Sequence, residues 1–177
     1  SGVASREHSC DMSAETFCQH ESDSFAAVSQ LTTLGLSSIP GAAKGLFCVA
    51  DIPRDTRIAV FHTGVVLCAR DAFVLQDKSY LMRLADDKYI DCNPEGRTPP
   101  TRFSKAQYAN DCRGFPLLYN TYQVKRPHEG RSDLYAARNL AAGEELFVSY
   151  GDRYWLSFSL TARLNGTNFQ PGRLPPP

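Results

Sequence analysis

Three short segments of the chain carry aromatic or amide side chains that could bind a ligand or orient a reacting group. Tyr80 lies in KSYLMRL, Asn110 in AQYANDC and Tyr150 in ELFVSYGDRYW. A tyrosine joins an apolar ring to a hydroxyl, and an asparagine offers both a donor and an acceptor. The alternative is structural, since strand tyrosines usually pack in the core and Asn-Asp pairs favour turns. The residue types alone leave both alternatives open.

The cysteines and histidines indicate no strong metal site. The six cysteines form no CxxC pair, and several lie in strand-like apolar runs, so we expect free, half-buried thiols in a reducing compartment. His8, Cys10, Cys18 and His20 are an alternative zinc site near the N-terminus, but their spacing contains no tight ligand pair. We therefore expect no zinc and no other metal.

Length and charge limit the classes of protein to consider. The chain has 177 residues with 42% hydrophobic content, which predicts one main domain. Its 19 basic and 19 acidic residues cancel, so the net charge does not favour binding to nucleic acid. No run approaches the roughly 18 to 20 apolar residues of a membrane span, and a secretory signal is not evident. We expect an intracellular protein, nuclear or cytoplasmic, that recognises its partners locally.

Short strands must position these side chains. Runs rich in Val, Ile, Phe and Tyr, bounded by turn residues, predict a mostly β fold with short helices, the best helix being Arg70 to Gln76. The predicted strands are Leu46 to Ala50, Arg57 to Phe61, Val65 to Leu67, Tyr80 to Leu84, Lys88 to Cys92, Asn120 to Lys125, Leu134 to Arg138 and Leu146 to Tyr150. We predict a polar, partly disordered segment at 1–30, a domain at 31–165 and a Pro-rich tail at 166–177.

Two segments of the chain resemble each other. Residues 45–62 align with residues 133–150 without a gap, so that Ile52 meets Leu140 and His62 meets Tyr150. Each copy reads as strand, tight turn, strand, which predicts two similar hairpins. The alternative is a chance similarity between amphipathic hairpins. If the similarity is real, His62 and Tyr150 occupy comparable positions.

The order of the segments resembles the SET domain over roughly residues 35–158. The resemblance runs from KGLFCVADIPRDTRI through GVVL, KSYLMRL, YIDC and AQYANDC to YAARNLAAGEELFVSYGDRYW, of which the last is the most specific. It implies a β-clip-like fold of small sheets with a C-terminal pseudoknot that brings Asn110 near Tyr150.

The resemblance also implies an activity. SET domains are protein-lysine N-methyltransferases that use S-adenosylmethionine and release S-adenosylhomocysteine, so we expect a protein or peptide partner bearing a lysine, with histone tails among the candidates. The alternative is a catalytically inactive SET-like domain that serves as a protein-binding module. Selectivity for the substrate is expected to depend on the inserted loops 68–79 and 93–107.

The residues that match family motifs are assigned roles by that resemblance. The catalytic candidates are Tyr150 and Tyr80, and the self-alignment adds His62. The substrate-binding candidates are Val148 and Tyr154. The cofactor-binding candidates are Lys44, Gly45, Leu46, Tyr80, Asn110, Asp111, Tyr150 and Trp155. Glycine at position 45 suits a turn whose backbone approaches the cofactor closely.

Several positions depart from the family pattern. Asp111 replaces a histidine, Ser149 replaces an aspartate, and Val148 replaces a phenylalanine or tyrosine that limits how many methyl groups fit. The smaller valine predicts that more than one methyl group is added. The zinc-binding cysteine segments that flank the domain in some relatives are missing, and Tyr154 and Trp155 belong to the apolar material left to close the channel.

Overall fold

The computed structural model describes residues 24–62, 65–96, 103–113 and 118–156. The N-terminal zinc candidates, most of the predicted polar segment and the Pro-rich tail lie outside these ranges. The elements in chain order are α1 (24–30), β1 (Thr32–Leu36), β2 (Lys44–Cys48), β3 (Arg57–His62), α2 (Ala69–Phe73), β4 (Leu81–Ala85), β5 (Lys88–Asp91), a 3-10 turn (Ala106–Tyr108), β6 (Thr121–Arg126), β7 (Arg131–Ala136) and α3 (152–156).

The strands form small antiparallel sheets, which confirms the predicted mostly β fold. β1 pairs with β2, β4 pairs with β5, and β7 lies between β3 and β6. Left-handed residues close two of the tight connections, Asp87 between β4 and β5 and Gly130 between β6 and β7. None of the helices in the described ranges has the length and apolar character needed to span a bilayer.

Apart from small shifts at strand ends, the strand prediction differs from the structure at three places. β1 was not predicted, because its sequence TTLGL is short and leaves Leu34 and Leu36 exposed, which weakens the apolar pattern. The segment Val65 to Leu67 contributes a single bridge, between Leu67 and Tyr89. The segment Leu146 to Tyr150 is extended but not a regular strand, because its partners lie on different elements.

The two similar segments do not form separate hairpins, so that prediction was wrong. They pair with each other in antiparallel order, through the β3–β7 ladder and through isolated bridges. Partners in one constant register are Phe47 with Glu145, Ile52 with Leu140 and Arg57 with Tyr135. Under the sequence alignment the first and third pairs are equivalent, and the middle pair maps onto itself. An approximate twofold axis therefore passes near Ile52 and Leu140.

This symmetry separates His62 from Tyr150. His62 pairs with Arg131 at one end of the joined segments, and its ring centroid lies 6.0 Å from that of Phe25. Tyr150 lies at the other end, on the cavity wall that Ala43 also lines. The two side chains are thus equivalent by sequence but belong to opposite ends of the paired segments.

The core lies where these sheets meet and is built from aliphatic side chains. Its fully buried members include Leu46, Ile58, Ile90, Leu134 and Leu146, each 0% exposed. Three of the four described cysteines, Cys48, Cys92 and Cys112, are buried as free thiols, and Cys68 is a partly exposed one. Burial raises the pKa of Cys92 to about 12, which keeps that thiol protonated. Among the described residues no cluster of three metal-ligating side chains is found.

Position 45 requires glycine because the side chain of Glu145 lies too close to leave room for a Cβ atom, and not because of an unusual backbone angle. It lies within β2, and the residues with positive φ in the described ranges do not include it. A Cβ atom there would collide with the carboxylate of Glu145 and would lie 3.1 Å from its Cδ and 3.2 Å from Phe47 Cε2. Ser37 and Ser38 hold that carboxylate in place, Ser38 N donating to Oε2 at 2.8 Å.

We therefore expect Gly45→Ala to lower the free energy of unfolding by about 1–3 kcal/mol, as overpacking does. Chemical denaturation measures this cost. The same change made in a Glu145→Ala background should cost much less, because the colliding carboxylate is gone. An equal cost in both backgrounds would contradict a collision with Glu145.

Candidate active site

The loop around Asn110 and the C-terminal segment pack side by side and form the centre of the site. Asn110 and Phe147 form a parallel bridge, and the amide of Val148 donates to the carbonyl of Asn110 at 3.0 Å. The 3-10 turn Ala106–Tyr108 precedes the loop and directs the chain into this pairing. Residues forty positions apart in the sequence thereby share one wall.

Asp111 fastens the two segments together. Its Oδ2 accepts from the backbone N–H of Tyr150 at 2.8 Å and from the indole N–H of Trp155 at 2.8 Å, while Oδ1 accepts from the hydroxyl of Tyr119. Asp111 is only 6% exposed, so these three bonds satisfy a carboxylate that would otherwise be costly to bury. The aspartate that stands where the family pattern has a histidine therefore has a structural role, as acceptor for three specific donors.

Tyr150 is held by its hydroxyl and by its ring. The hydroxyl donates to the carbonyl of Ala109 at 2.9 Å. Its ring centroid lies 4.8 Å from that of Tyr154, edge to face, and 6.2 Å from that of Trp155, nearly parallel. Burial raises the pKa of Tyr150 above its usual value, so the phenol stays neutral well above physiological pH.

A first cavity of about 500 Å³ opens on one side of Tyr150. This volume is in the range of small-molecule sites. Its wall contains three carboxylates, Asp77, Glu95 and Asp111, and one lysine, Lys44. Asp111 is already engaged by three donors, but the net charge of the wall remains negative. The first cavity therefore suits a ligand that carries positive charge.

Asn110 and Lys44 lie together at one side of the first cavity. The amide Nδ2 of Asn110 donates to the carbonyl of Lys44 at 2.9 Å and to the hydroxyl of Ser37 at 3.1 Å. Both bonds use the nitrogen, so the oxygen Oδ1 is the atom of this amide that can accept from a ligand. The Lys44 ammonium lies 5.8 Å from the ring centroid of Tyr108, which also lines the cavity.

A second cavity, of about 320 Å³, adjoins the first and shares part of its wall. Its floor is largely apolar or aromatic and includes Phe61, Met82 and Tyr89. Five residues line both cavities, namely Ser79, Tyr80, Gln107, Tyr150 and Tyr154. These shared residues mark the place where a group in one cavity can meet a group in the other.

The structure brings most of the predicted site residues together. The residues that line the first cavity include Lys44, Tyr80, Asn110, Asp111, Tyr150, Tyr154 and Trp155. The predicted residues that line neither cavity are Gly45, Leu46, Val148 and His62.

Each of these four residues has a structural environment instead. Leu46 and Val148 are buried in the core, at 0% and 2% exposure, and Gly45 accommodates Glu145. His62 donates its backbone N–H to Ser104 Oγ at 3.1 Å. The side chain of Val148 points into the core cluster, so the predicted control of methylation state by this residue finds no support in the cavity wall.

Gln107 is a shared wall residue that sequence reasoning missed. Its amide is satisfied internally, because Oε1 accepts from Ser104 Oγ at 2.9 Å and Nε2 donates to Ser104 O at 3.1 Å. The available signal was a polar residue three positions before Asn110, which is weak on its own. Asp77 and Glu95 were also missed, since they lie in inserted loops where pattern gives little information.

Comparison with known protein families assigns the chain to a recognised group of sequences. The profile of the SET domain matches residues 43–151, which is more than half of the chain. The match includes Lys44, Tyr80, Asn110 and Tyr150 and ends before α3, which carries Tyr154 and Trp155. No curated protein matches the chain at a significant level.

Proposed function

We propose, from the premise that this chain belongs to the SET-domain family, that it transfers methyl groups from S-adenosylmethionine to lysine side chains of proteins. Members of this family are generally lysine methyltransferases. The acceptor is a protein or peptide, and the reactive groups meet at the wall that the two cavities share.

One observation carries the proposal: two cavities of different character meet at a wall that contains Tyr150, Tyr80 and Tyr154. Methyl transfer requires a donor and an acceptor that approach in line from opposite sides. A polar cavity and a largely apolar cavity that meet at one wall offer a separate place for each reactant. A domain with a single closed pocket would not offer this arrangement.

The residues of the first cavity fit the chemical groups of S-adenosylmethionine. Asp77 and Glu95 give a negative wall for its cationic groups, and the Oδ1 atom of Asn110 can accept from its ammonium group. Lys44 can pair with its carboxylate. When bound, the cofactor supplies an electrophilic methyl group attached to a sulfonium.

The acceptor amine must lose its proton before it reacts, since the ordinary pKa of lysine is about 10.4. The shared wall favours the neutral amine, because aromatic side chains exclude water and desolvation disfavours the ammonium form. The Tyr150 hydroxyl donates a hydrogen bond to the carbonyl of Ala109, so its oxygen lone pairs can accept from the amine N–H. Tyr150 would thus orient the amine without changing its own charge.

Two measurements on the purified chain test this function. Calorimetry with S-adenosylmethionine and S-adenosylhomocysteine should show binding. Incubation with labelled cofactor and a panel of proteins and peptides should give lysine methylation, mapped by mass spectrometry. Absence of heat with either ligand would contradict the proposal and would favour an inactive SET-like binding module.

A further inference from the structure

The two cavities carry opposite charge. The wall of the second cavity includes Lys78, Arg83, Lys125 and Arg153, and none of its lining residues is an aspartate or a glutamate. The first cavity has the reverse pattern, with three carboxylates and one lysine. The net charge of the chain does not reveal these two surfaces, because basic and acidic residues are equal in number.

The positive charge of the second cavity is largely uncompensated. Lys78 Nζ donates to the carbonyl of Leu75 at 2.6 Å, and Lys125 Nζ donates to the carbonyl of Arg83 at 2.6 Å. These bonds orient the ammonium groups but do not neutralise them, and each ammonium retains further N–H donors. Of the four cations, Arg83 is paired with a carboxylate within the described residues, that of Asp86, which is 98% exposed.

The position of this charge matters because the second cavity is the one that an acceptor chain would enter. It holds the apolar residues suited to a lysine stem, and its wall includes Tyr150 and Tyr154. Charges around an entrance act on a partner through the sum of their fields. A segment rich in lysine and arginine would be repelled there, and a segment rich in aspartate and glutamate would be attracted.

We propose that the protein substrate presents its target lysine within an acidic segment, whose carboxylates pair with Lys78, Lys125 and Arg153 at the rim of the second cavity. This inference rests on the proposed function and adds the substrate class to it. A basic histone tail is the opposite class and is disfavoured by the same charges.

Binding and transfer should be measured on peptides of identical length with one central lysine. The lysine is flanked on both sides by glutamate, by glutamine or by arginine, and a basic histone-tail peptide is added. Fluorescence anisotropy gives Kd in the presence of S-adenosylhomocysteine, and labelled cofactor gives kcat/KM. We expect the glutamate-flanked peptide to bind at least roughly tenfold more tightly than the arginine-flanked one, and kcat/KM to follow the same order.

Salt provides a second readout of the same charges. The screening length falls from about 10 Å at 0.1 M to about 3 Å at 1 M ionic strength. The preference for the glutamate-flanked peptide should therefore shrink several-fold as salt is raised. A preference that is unchanged by salt would overturn the electrostatic assignment.

Charge reversal tests the named residues. We expect Lys125→Glu combined with Arg153→Glu to abolish or invert the preference among the peptides. The matched control is Arg54→Glu, a change of charge at a side chain that is 70% exposed and lines neither cavity, and it should leave the preference intact. Thermal unfolding of each variant verifies that it is folded, and the peptide series on the unmodified chain stands if a variant is not.

The two readouts separate this inference from the proposed function. Transfer to all peptides with equal efficiency, or a preference for the arginine-flanked or histone peptide, would overturn the acidic-substrate inference while the methyltransferase function stands. Tightest binding of the glutamate-flanked peptide without transfer to any peptide would support the charge assignment and overturn the function.

Discussion

Tyr150→Phe is expected to lower kcat for methyl transfer by about a hundredfold or more and to leave cofactor binding nearly unchanged. The phenylalanine ring keeps the contacts with Tyr154 and Trp155, but the hydroxyl that donates to Ala109 is removed. Under the proposed function, the acceptor amine then loses the oxygen that orients it at the shared wall. Losses of about 10²–10³ are typical when one positioned hydrogen-bonding group is deleted from an active site.

A matched control is available in Tyr122→Phe. Tyr122 also donates its hydroxyl to a single acceptor, Asp55 Oδ1 at 3.1 Å, and its ring stacks on another aromatic ring, that of Tyr135, but it lines neither cavity. Single-turnover kinetics and calorimetry should show normal kcat and normal cofactor binding for this control. Undiminished transfer by Tyr150→Phe would remove the hydroxyl from the mechanism.

The pH dependence of the same reaction gives an independent check on Tyr150. Its pKa is raised first by burial and then by the negative charge that Tyr154, Asp111 and Tyr80 would contribute. A raised pKa means that the phenol stays protonated through the range in which an ordinary tyrosine begins to ionise. We expect kcat to rise with pH as the acceptor amine loses its proton, without a fall near pH 10. A descending limb there, in protein that circular dichroism shows to be folded, would contradict a buried neutral phenol.

Local patterns were sufficient for the fold class and for the wall residues carried by strongly marked segments. Apolar runs bounded by turn residues closely predicted five of the seven strands, namely β2, β3, β4, β5 and β6. Asn110 and Tyr150 occur in motifs whose neighbours restrict their surroundings, and the structure brings both to the first cavity. Their meeting depends on a long-range pairing that the resemblance implied and that periodicity alone does not specify.

His62 and Val148 were predicted as site residues but line neither cavity, for reasons of symmetry and register. The self-alignment of residues 45–62 with 133–150 was informative, but similarity does not say whether two segments fold back on themselves or pair with each other. Mutual pairing sends His62 and Tyr150 to opposite ends. The amide N–H of Val148 donates to the carbonyl of Asn110, and its side chain belongs to the buried core cluster. The charges of the second cavity come from β4, β6, α3 and the loop before β4, so no single motif contains them.

Asp111→Ala is expected to lower the free energy of unfolding by about 3 kcal/mol or more. The change removes the carboxylate that accepts from the Tyr150 N–H, the Trp155 indole N–H and the Tyr119 hydroxyl. Hydrogen bonds to a charged group contribute about 1.5–3 kcal/mol each, and a buried donor left unpaired adds its desolvation cost. Chemical denaturation, monitored by tryptophan fluorescence, measures the loss. The chain has one tryptophan, Trp155, and its indole N–H is bonded to Asp111. The control is Asp51→Ala, which removes an exposed carboxylate bonded to the backbone of Ala142 and should cost far less.

Asp111→Asn separates the two roles that the carboxylate can have. An asparagine oxygen can still accept from Tyr150 N and Trp155 Nε1, and its amide nitrogen can donate to the Tyr119 oxygen, so most of the stability should be retained. If the carboxylate only fastens the wall, cofactor affinity should also be retained. If its charge helps to hold a cationic ligand in the first cavity, affinity should fall several-fold while the unfolding free energy changes little. The acidic wall formed with Asp77 and Glu95 leads us to expect the second result. Equal losses of stability in the alanine and asparagine variants would contradict the bonding pattern around Asp111.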